Sequence, residues 1–192
     1  MGLEDLSLFR SIPNSTILYP SDAVSCSKLV NLSTSLSNIK YIRTTRSSLP
    51  IIYDKYESFR IGNFKVLKES NQDSIVLLGA GITLHESMKA YNMLKEKGIS
   101  SSVLDLYCIK PLDFQKLSDF IIKHGKKLVI TEDHYEQGGI GEMLSEVFAN
   151  AQANTKIKAL SIDKVPHSGK TSELLALHKI NWEAIYSEAK SL

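Results

Sequence analysis

The sequence predicts an α/β fold built on a mostly parallel sheet. Short β-rich apolar runs recur between Ser74 and Ile162, and each is followed by a stretch with helical spacing of apolar residues. Gly or Pro punctuates the passages between them, as at Gly79, Gly81, Gly98 and Pro111. Strands alternating with helices of this length imply parallel pairing through right-handed crossovers. The composition, 43% hydrophobic and 23% charged, is that of an ordinary globular protein.

Leu3, Leu6, Phe9 and Ile12 stand at helical spacing, and Pro13 ends that run. Thr16 to Tyr19 is a short strand, closed by Pro20. Ser21 and Asp22 are capping residues for a helix through Leu36. Ile39 to Ile42 is the next strand and runs into Arg43-Thr-Thr-Arg46. Residues 51–72 lose any period and read as a connector. Beyond it, Ser74–Leu78 is a strand, Gly79-Ala-Gly81 a turn, and Thr83–Lys97 a helix stopped by Gly98. Ser102–Leu106 is a strand, and Pro111–Lys123 a helix with proline near its start. Lys127–Thr131 is a strand, Gly139–Asn150 a helix and Lys156–Ile162 a strand. Ser172–Leu177 and Trp182–Ser191 close the chain as helices. Residues 1–46 thus supply only two strands. Two parallel strands cannot cover their own faces, so this unit reads as part of a larger domain.

The 192 residues suffice for one domain or one and a half. A net charge of +2 gives no electrostatic case for nucleic acid. The basic runs at Lys123–Lys127 and Lys156–Lys158 read as solvated strand edges. No stretch approaches the roughly 18 consecutive apolar residues of a membrane span. The start of the chain is acidic and amphipathic, unlike a signal peptide. Leu6 stands where a myristoylation motif after Gly2 wants Ser or Thr. Cys26 and Cys108 form neither a disulfide framework nor a zinc pattern, which fits a reducing compartment and a cytoplasmic location.

Several local patterns suggest chemistry. Gly79-Ala-Gly81 opens a helix after a strand, and Asp105 sits near the position of a ribose-binding acid. Leu84 stands where a dinucleotide fingerprint needs its third Gly, so a tight turn is the plainer reading. Ser168-Gly-Lys-Thr171 looks like the tail of a phosphate loop, but Lys164 replaces its first Gly. The five histidines, His85, His124, His134, His167 and His178, show no metal-ligand spacing. Glu132, Asp133, His134 and Glu136 suit acid/base work, or a polar strand end bonding turn amides or a neighbouring domain. Arg43 and Arg46 lie just past a strand end, where a guanidinium meets a phosphate or a carboxylate equally well.

Gly2-Leu-Glu-Asp-Leu6, Phe9-Arg-Ser-Ile-Pro13, Tyr19-Pro-Ser-Asp22 and Tyr41-Ile-Arg-Thr-Thr-Arg46 resemble the second half of the pyrimidine-binding domain of transketolases, which are thiamine-diphosphate enzymes. Leu78-Gly-Ala-Gly-Ile-Thr-Leu-His-Glu86, Glu132 through Glu142 and Val165 through Leu175 resemble their C-terminal domain, and the likeness is to animal-type transketolases. The Glu132-Asp-His134 and Gly138-Gly139 stretch is also similar to the β subunits of 2-oxoacid dehydrogenases and to deoxyxylulose phosphate synthase. Ser168 through Leu175 and the opening Leu-Glu-Asp-Leu favour transketolase.

The resemblance implies a Rossmann-like C-terminal domain over residues 73–192, a connector over 51–72 and a partial pyrimidine-binding domain over 1–50. It implies transfer of a two-carbon ketol unit from a ketose phosphate to an aldose phosphate, in the pentose phosphate pathway. By motif position it assigns Arg46 to the sugar phosphate, and Arg43 remains structural. It places the residues that hold thiamine diphosphate and its divalent cation, Mg or Ca, upstream of Met1. No catalytic, cofactor-binding or metal-binding residue is therefore expected in this chain, which alone is expected to be inactive. The implied partners are sugar phosphates and either a second copy, in a homodimer, or an N-terminal transketolase region. A non-catalytic assembly module is the alternative function. The Glu132 to Glu142 segment reads mainly as a family signature that fixes a strand–helix junction near a boundary.

Overall fold

The computed structural model describes residues 2–151 and 154–192. Helix α1 (Asp5–Arg10) leads into β1 (Ser15–Leu18), α2 (Ala23–Thr34) and β2 (Ile39–Ile42). Asp22 begins α2 by accepting the Ser25 N–H at 2.7 Å, and the Ser25 hydroxyl returns to the Asp22 backbone N–H at 3.0 Å. That reciprocal cap satisfies donors a helix start otherwise leaves unpaired. β1 and β2 are parallel, as a helical crossover requires.

The second sheet contains β3 (Lys65–Lys68), β4 (Ile75–Gly79) and β5 (Ser101–Asp105), with α3 (Ile82–Glu96) linking the last two. After β6 (Cys108–Lys110) come α4 (Phe114–Lys123), β7 (Lys127–Tyr135), α5 (Ile140–Asn150), β8 (Lys156–Ile162), α6 (Thr171–Leu177) and α7 (Trp182–Ser191). The strand order is β3-β5-β4-β7-β8. All pairs are parallel except β3 with β5. The mostly parallel α/β sheet is therefore present. Every residue of β4 and β5 is buried, as parallel strands covered on both faces should be.

Alternate residues of these strands feed two cores. Leu77, Val103 and Val129 pack with Leu84, Ala90 and Leu94 of α3 and Ile185 and Ala189 of α7. Val76, Leu78, Leu104, Leu128 and Ile130 face the other way. They meet Leu117 and Ile121 of α4, Leu144 and Phe148 of α5, and Leu6, Ile17 and Tyr19 of the first unit. The two sheets thus share a core. Each fully buried aliphatic side chain contributes on the order of 1.5–3 kcal/mol.

Several expectations are revised. The connector over 51–72 contains β3, an antiparallel edge strand. The first sheet gains a third strand, since β6 pairs antiparallel with β1 in the order β2-β1-β6. Helix α4 starts at Phe114, where Asp113 accepts the Lys116 N–H at 3.0 Å, while Pro111 only ends β6. Strand β7 continues to Tyr135, whose N–H reaches the Leu3 carbonyl at 3.0 Å. Among the described residues no helix is long and apolar enough to cross a membrane.

Candidate functional site

Strand β7 ends where the first unit meets the second sheet, and its polar residues face in different directions. Glu132 is buried at the start of α5. Its carboxylate accepts the N–H of Ile140 at 2.6 Å and of Gly141 at 2.9 Å. Burial pushes its pKa up to about 7, against the opposing effect of those two N–H groups. A Cβ on Gly139 would lie 2.5 Å from this carboxylate, so the Gly makes room for the cap. Here the helix lacks a cap from its own N-cap residue, Gly139, and a carboxylate from the preceding strand substitutes.

Asp133 points to the first unit. Arg43 Nη1 donates to its Oδ1 at 2.7 Å, Arg43 Nη2 donates to its main-chain carbonyl at 2.9 Å, and the Tyr19 hydroxyl donates to Oδ2 at 2.9 Å. Arg43 Nε also donates to Asp5 Oδ2 at 2.9 Å, and its guanidinium lies 4.8 Å from the Tyr19 ring centroid. Arg43 is 4% exposed, so this is a buried network rather than a free anion site. Burial alone would lower its pKa, but Asp133, Tyr19 and Asp5 raise it and keep it charged. Tyr41 donates to the same Asp5 oxygen at 2.6 Å, and burial and then Asp5 push its pKa up to about 12.

His134 accepts the Ser7 N–H on Nε2 at 3.3 Å, while Nδ1 lies 2.6 Å from the Tyr135 carbonyl. That geometry sets the tautomer with the proton on Nδ1. Arg10 completes the joint by donating to the Gly138 carbonyl and, at 2.9 Å, to the Gly139 carbonyl. Of the four acid/base candidates, three are engaged by the fold, and Glu136 alone is exposed. Glu132 caps a helix, Asp133 holds Arg43, and His134 docks α1.

Asp105 is completely buried and far from any ribose-binding role. It accepts from the Ser21 hydroxyl at 2.8 Å and from Tyr53 at 2.5 Å. Burial pushes its pKa up to about 7, against those two donors. Gly81, in the turn before α3, has φ +55°, and a Cβ there would come 2.1 Å from the Tyr19 ring. The glycines of that turn serve close approach. Ser168-Gly-Lys-Thr171 lies exposed ahead of the seven-residue α6 and forms no phosphate loop.

Arg46 is different. It is exposed and forms no ion pair among the described residues. It borders a cavity of about 560 Å³ that also reaches Asp133, Ser168, Thr171 and His178. The structure thus separates two arginines that the sequence sets three apart, one sealed in an ion-pair network and one open. His178 was not singled out by sequence reasoning, and neither were Asp5 or Tyr19. The partners of Asp5 and Tyr19 lie far off in the chain, so no local spacing signals them.

The sequence model of the transketolase C-terminal domain matches residues 62–185. The chain belongs to that family. Transketolase of Rattus norvegicus is 42% identical over 192 residues, which is all of this chain and 31% of that protein. Transketolase of Homo sapiens is 41% identical, again over the whole chain and 31% of its own length. The chain therefore spans under a third of these transketolases. A split-gene transketolase, solved as an inactive β4 tetramer, superposes with a TM-score of 0.90 at 26% identity, over 100% of this chain and 61% of that one. Transketolase from Campylobacter jejuni shares the fold, with a TM-score of 0.77 at 18% identity over all of this chain and 28% of that one.

Transketolases are generally thiamine-diphosphate dependent, so the described residues can be tested for that group. No three His, Cys, Asp or Glu side chains among them come together as a metal site. The buried acids are held by donors of the protein. Asp22, for one, accepts the N–H groups of Ile52 and Tyr53 at 2.8 and 2.9 Å. Such a donor set does not fit a metal-bound diphosphate.

Proposed function

We propose that this chain is the C-terminal part of a transketolase and works only together with a region that holds thiamine diphosphate and a divalent cation, Mg or Ca. The intact enzyme moves a two-carbon ketol unit from a ketose phosphate to an aldose phosphate. Arg46 contributes the contact to the sugar phosphate. Its planar fork suits a phosphate dianion and is not spent on a carboxylate among the described residues. The observation that carries the reading is the end-to-end likeness to rat transketolase at 42% identity. The free guanidinium at a cavity mouth supports the role of Arg46.

In the same proposal, residues 1–50 complete a pyrimidine-binding domain, 51–72 connect, and 73–192 form the C-terminal domain. The region that holds the cofactor belongs either to the same protein or to a partner polypeptide, and the assembly is a homodimer of the enzyme. A cytoplasmic location is part of this reading, supported by the free thiols of Cys26 and Cys108.

A second reading, self-assembly without catalysis, takes support from the solved relative described as an inactive β4 tetramer. Mixing the chain with an N-terminal transketolase region, thiamine diphosphate and magnesium separates the two. Ketol transfer on mixing supports the first reading. A stable oligomer that no such complement activates supports the second.

A further inference from the structure

Residues 44–51 form a strap between two fixed points. At its start, Arg43 is buried, donates its main-chain N–H to the Leu18 carbonyl at 2.9 Å, and holds Asp133 and Asp5 with its guanidinium. Just past its end, the N–H groups of Ile52 and Tyr53 donate to Asp22 Oδ2 at 2.8 and 2.9 Å. Between these clamps the chain is neither helix nor strand, and most of its residues, Arg46 and Ser47 among them, are exposed. Cavities of about 350, 680 and 560 Å³ each border Ser47, so little packing holds the strap in place.

Among the described residues, one hydrogen bond ties the strap to another element. The Ser47 hydroxyl lies 3.0 Å from that of Thr171, the first residue of α6. The other hydrogen bond of the strap runs from the Thr45 hydroxyl to the Ser47 carbonyl and is local to it. Thr171 lines the cavity that Arg46 borders, so the contact fixes the residue next to Arg46 to an element of that cavity. A span anchored only at its ends keeps many backbone arrangements, and a single contact in its middle selects among them. Arg46 has no ion pair of its own among the described residues, so the strap sets where its guanidinium stands.

We infer that the Ser47–Thr171 hydrogen bond is a latch that positions Arg46, with the two hydroxyls acting through the strap and not as ligand contacts. Closed, the latch keeps the guanidinium at the cavity. Open, it frees the strap and the guanidinium leaves its place. An anion that needs Arg46 binds the closed form, so its affinity falls in proportion to the closed fraction. The positioning role rests on the assignment of Arg46 to the sugar phosphate, whereas the latch does not.

The test uses the full 192-residue chain and two readouts. Native-state trypsin cleavage at the Arg46–Ser47 bond, followed by mass spectrometry, reports how often the strap opens. Calorimetry with ribose 5-phosphate reports binding. Ser47→Ala and Thr171→Val should each raise the open-to-closed ratio about fivefold, the effect of losing one ordinary hydrogen bond. Cleavage should rise and affinity should fall by about twofold or more, the two factors multiplying to about five. Thr171→Ser keeps the hydroxyl and should behave as the parent. Combined with Arg46→Ala, neither latch substitution should weaken binding further, a result that general loosening of the fold does not produce. If cleavage rises in neither variant, there is no latch. If cleavage rises and Arg46→Ala weakens binding, yet the latch variants bind as the parent does, the positioning role falls while the phosphate contact stands. If Arg46→Ala leaves affinity unchanged, or the parent binds no ribose 5-phosphate, the Arg46 assignment fails on this chain and takes the positioning role with it.

Discussion

Arg43 Nη1 lies 2.7 Å from Asp133 Oδ1, and this contact joins the first sheet to the end of β7 across ninety positions of sequence. Both side chains are largely buried, at 4% and 13% exposure. A buried pair is weak evidence of net stabilisation, but breaking one partner leaves an unpaired charge. Arg43→Met should therefore lower the unfolding free energy by about 3–5 kcal/mol. Arg43→Met with Asp133→Asn should recover part of that loss. Urea denaturation of the single and double variants measures the coupling, and strictly additive losses would contradict it.

Asp105 gives the chain a pH dependence of a defined sign. Burial raises its pKa from 3.8 to about 7, so the folded state prefers the protonated acid. The stability it contributes is fully present below about pH 4, declines as pH rises, and is gone above about pH 7. Glu132, raised from 4.5 to about 7, acts in the same direction. Asp105→Asn should remove its share and flatten the decline between about pH 4 and pH 7. An unchanged slope in the variant, read from denaturation midpoints across that range, would show that Asp105 does not titrate this way.

Gly81 permits the turn after β4 to sit against Tyr19. A side chain there would be strained by φ +55° and would meet the Tyr19 ring at 2.1 Å. Gly81→Ala should cost about 2 kcal/mol or more, since the ring is held by Asp133 and cannot retreat freely. Gly81→Ala with Tyr19→Ala should lose less than the sum of the two single losses. Thermal unfolding of the set decides whether the contact or the backbone angle dominates.

The regular α/β core was legible because periodicity reports burial. β4, β5 and the first part of β7 are apolar runs bounded by turn residues, and α3 ends at Glu96, just ahead of Gly98. β3 was not legible, because Lys65-Val-Leu-Lys68 is a short half-exposed edge in a stretch without period. β6 was hidden by its three-residue length and by Pro111, which reads as a helix start. The site was legible in part. The sequence singled out Arg46 and the Glu132 to His134 segment, but the contacts of Glu132, Asp133 and His134 depend on partners it cannot bring together. Asp105 shows the same limit, since its position suggested a ribose contact and its burial excludes one.

Arg46 carries little of the fold, being exposed and without an ion pair among the described residues. Arg46→Ala should leave the unfolding free energy within about 0.5 kcal/mol of the parent. A larger loss, seen in the same denaturation assay, would reassign this arginine to structure.

The most direct measurement is ketol transfer by the chain combined with an N-terminal transketolase region, thiamine diphosphate and magnesium, using a phosphorylated donor and its unphosphorylated counterpart. Activity on mixing is the expected result. Arg46→Ala should lower kcat/KM for the phosphorylated donor by roughly ten- to a hundredfold, the loss expected for a charge-assisted contact of about 1.5–3 kcal/mol, with little change for the unphosphorylated sugar. No transfer from any combination, or an equal loss for both sugars, would contradict it.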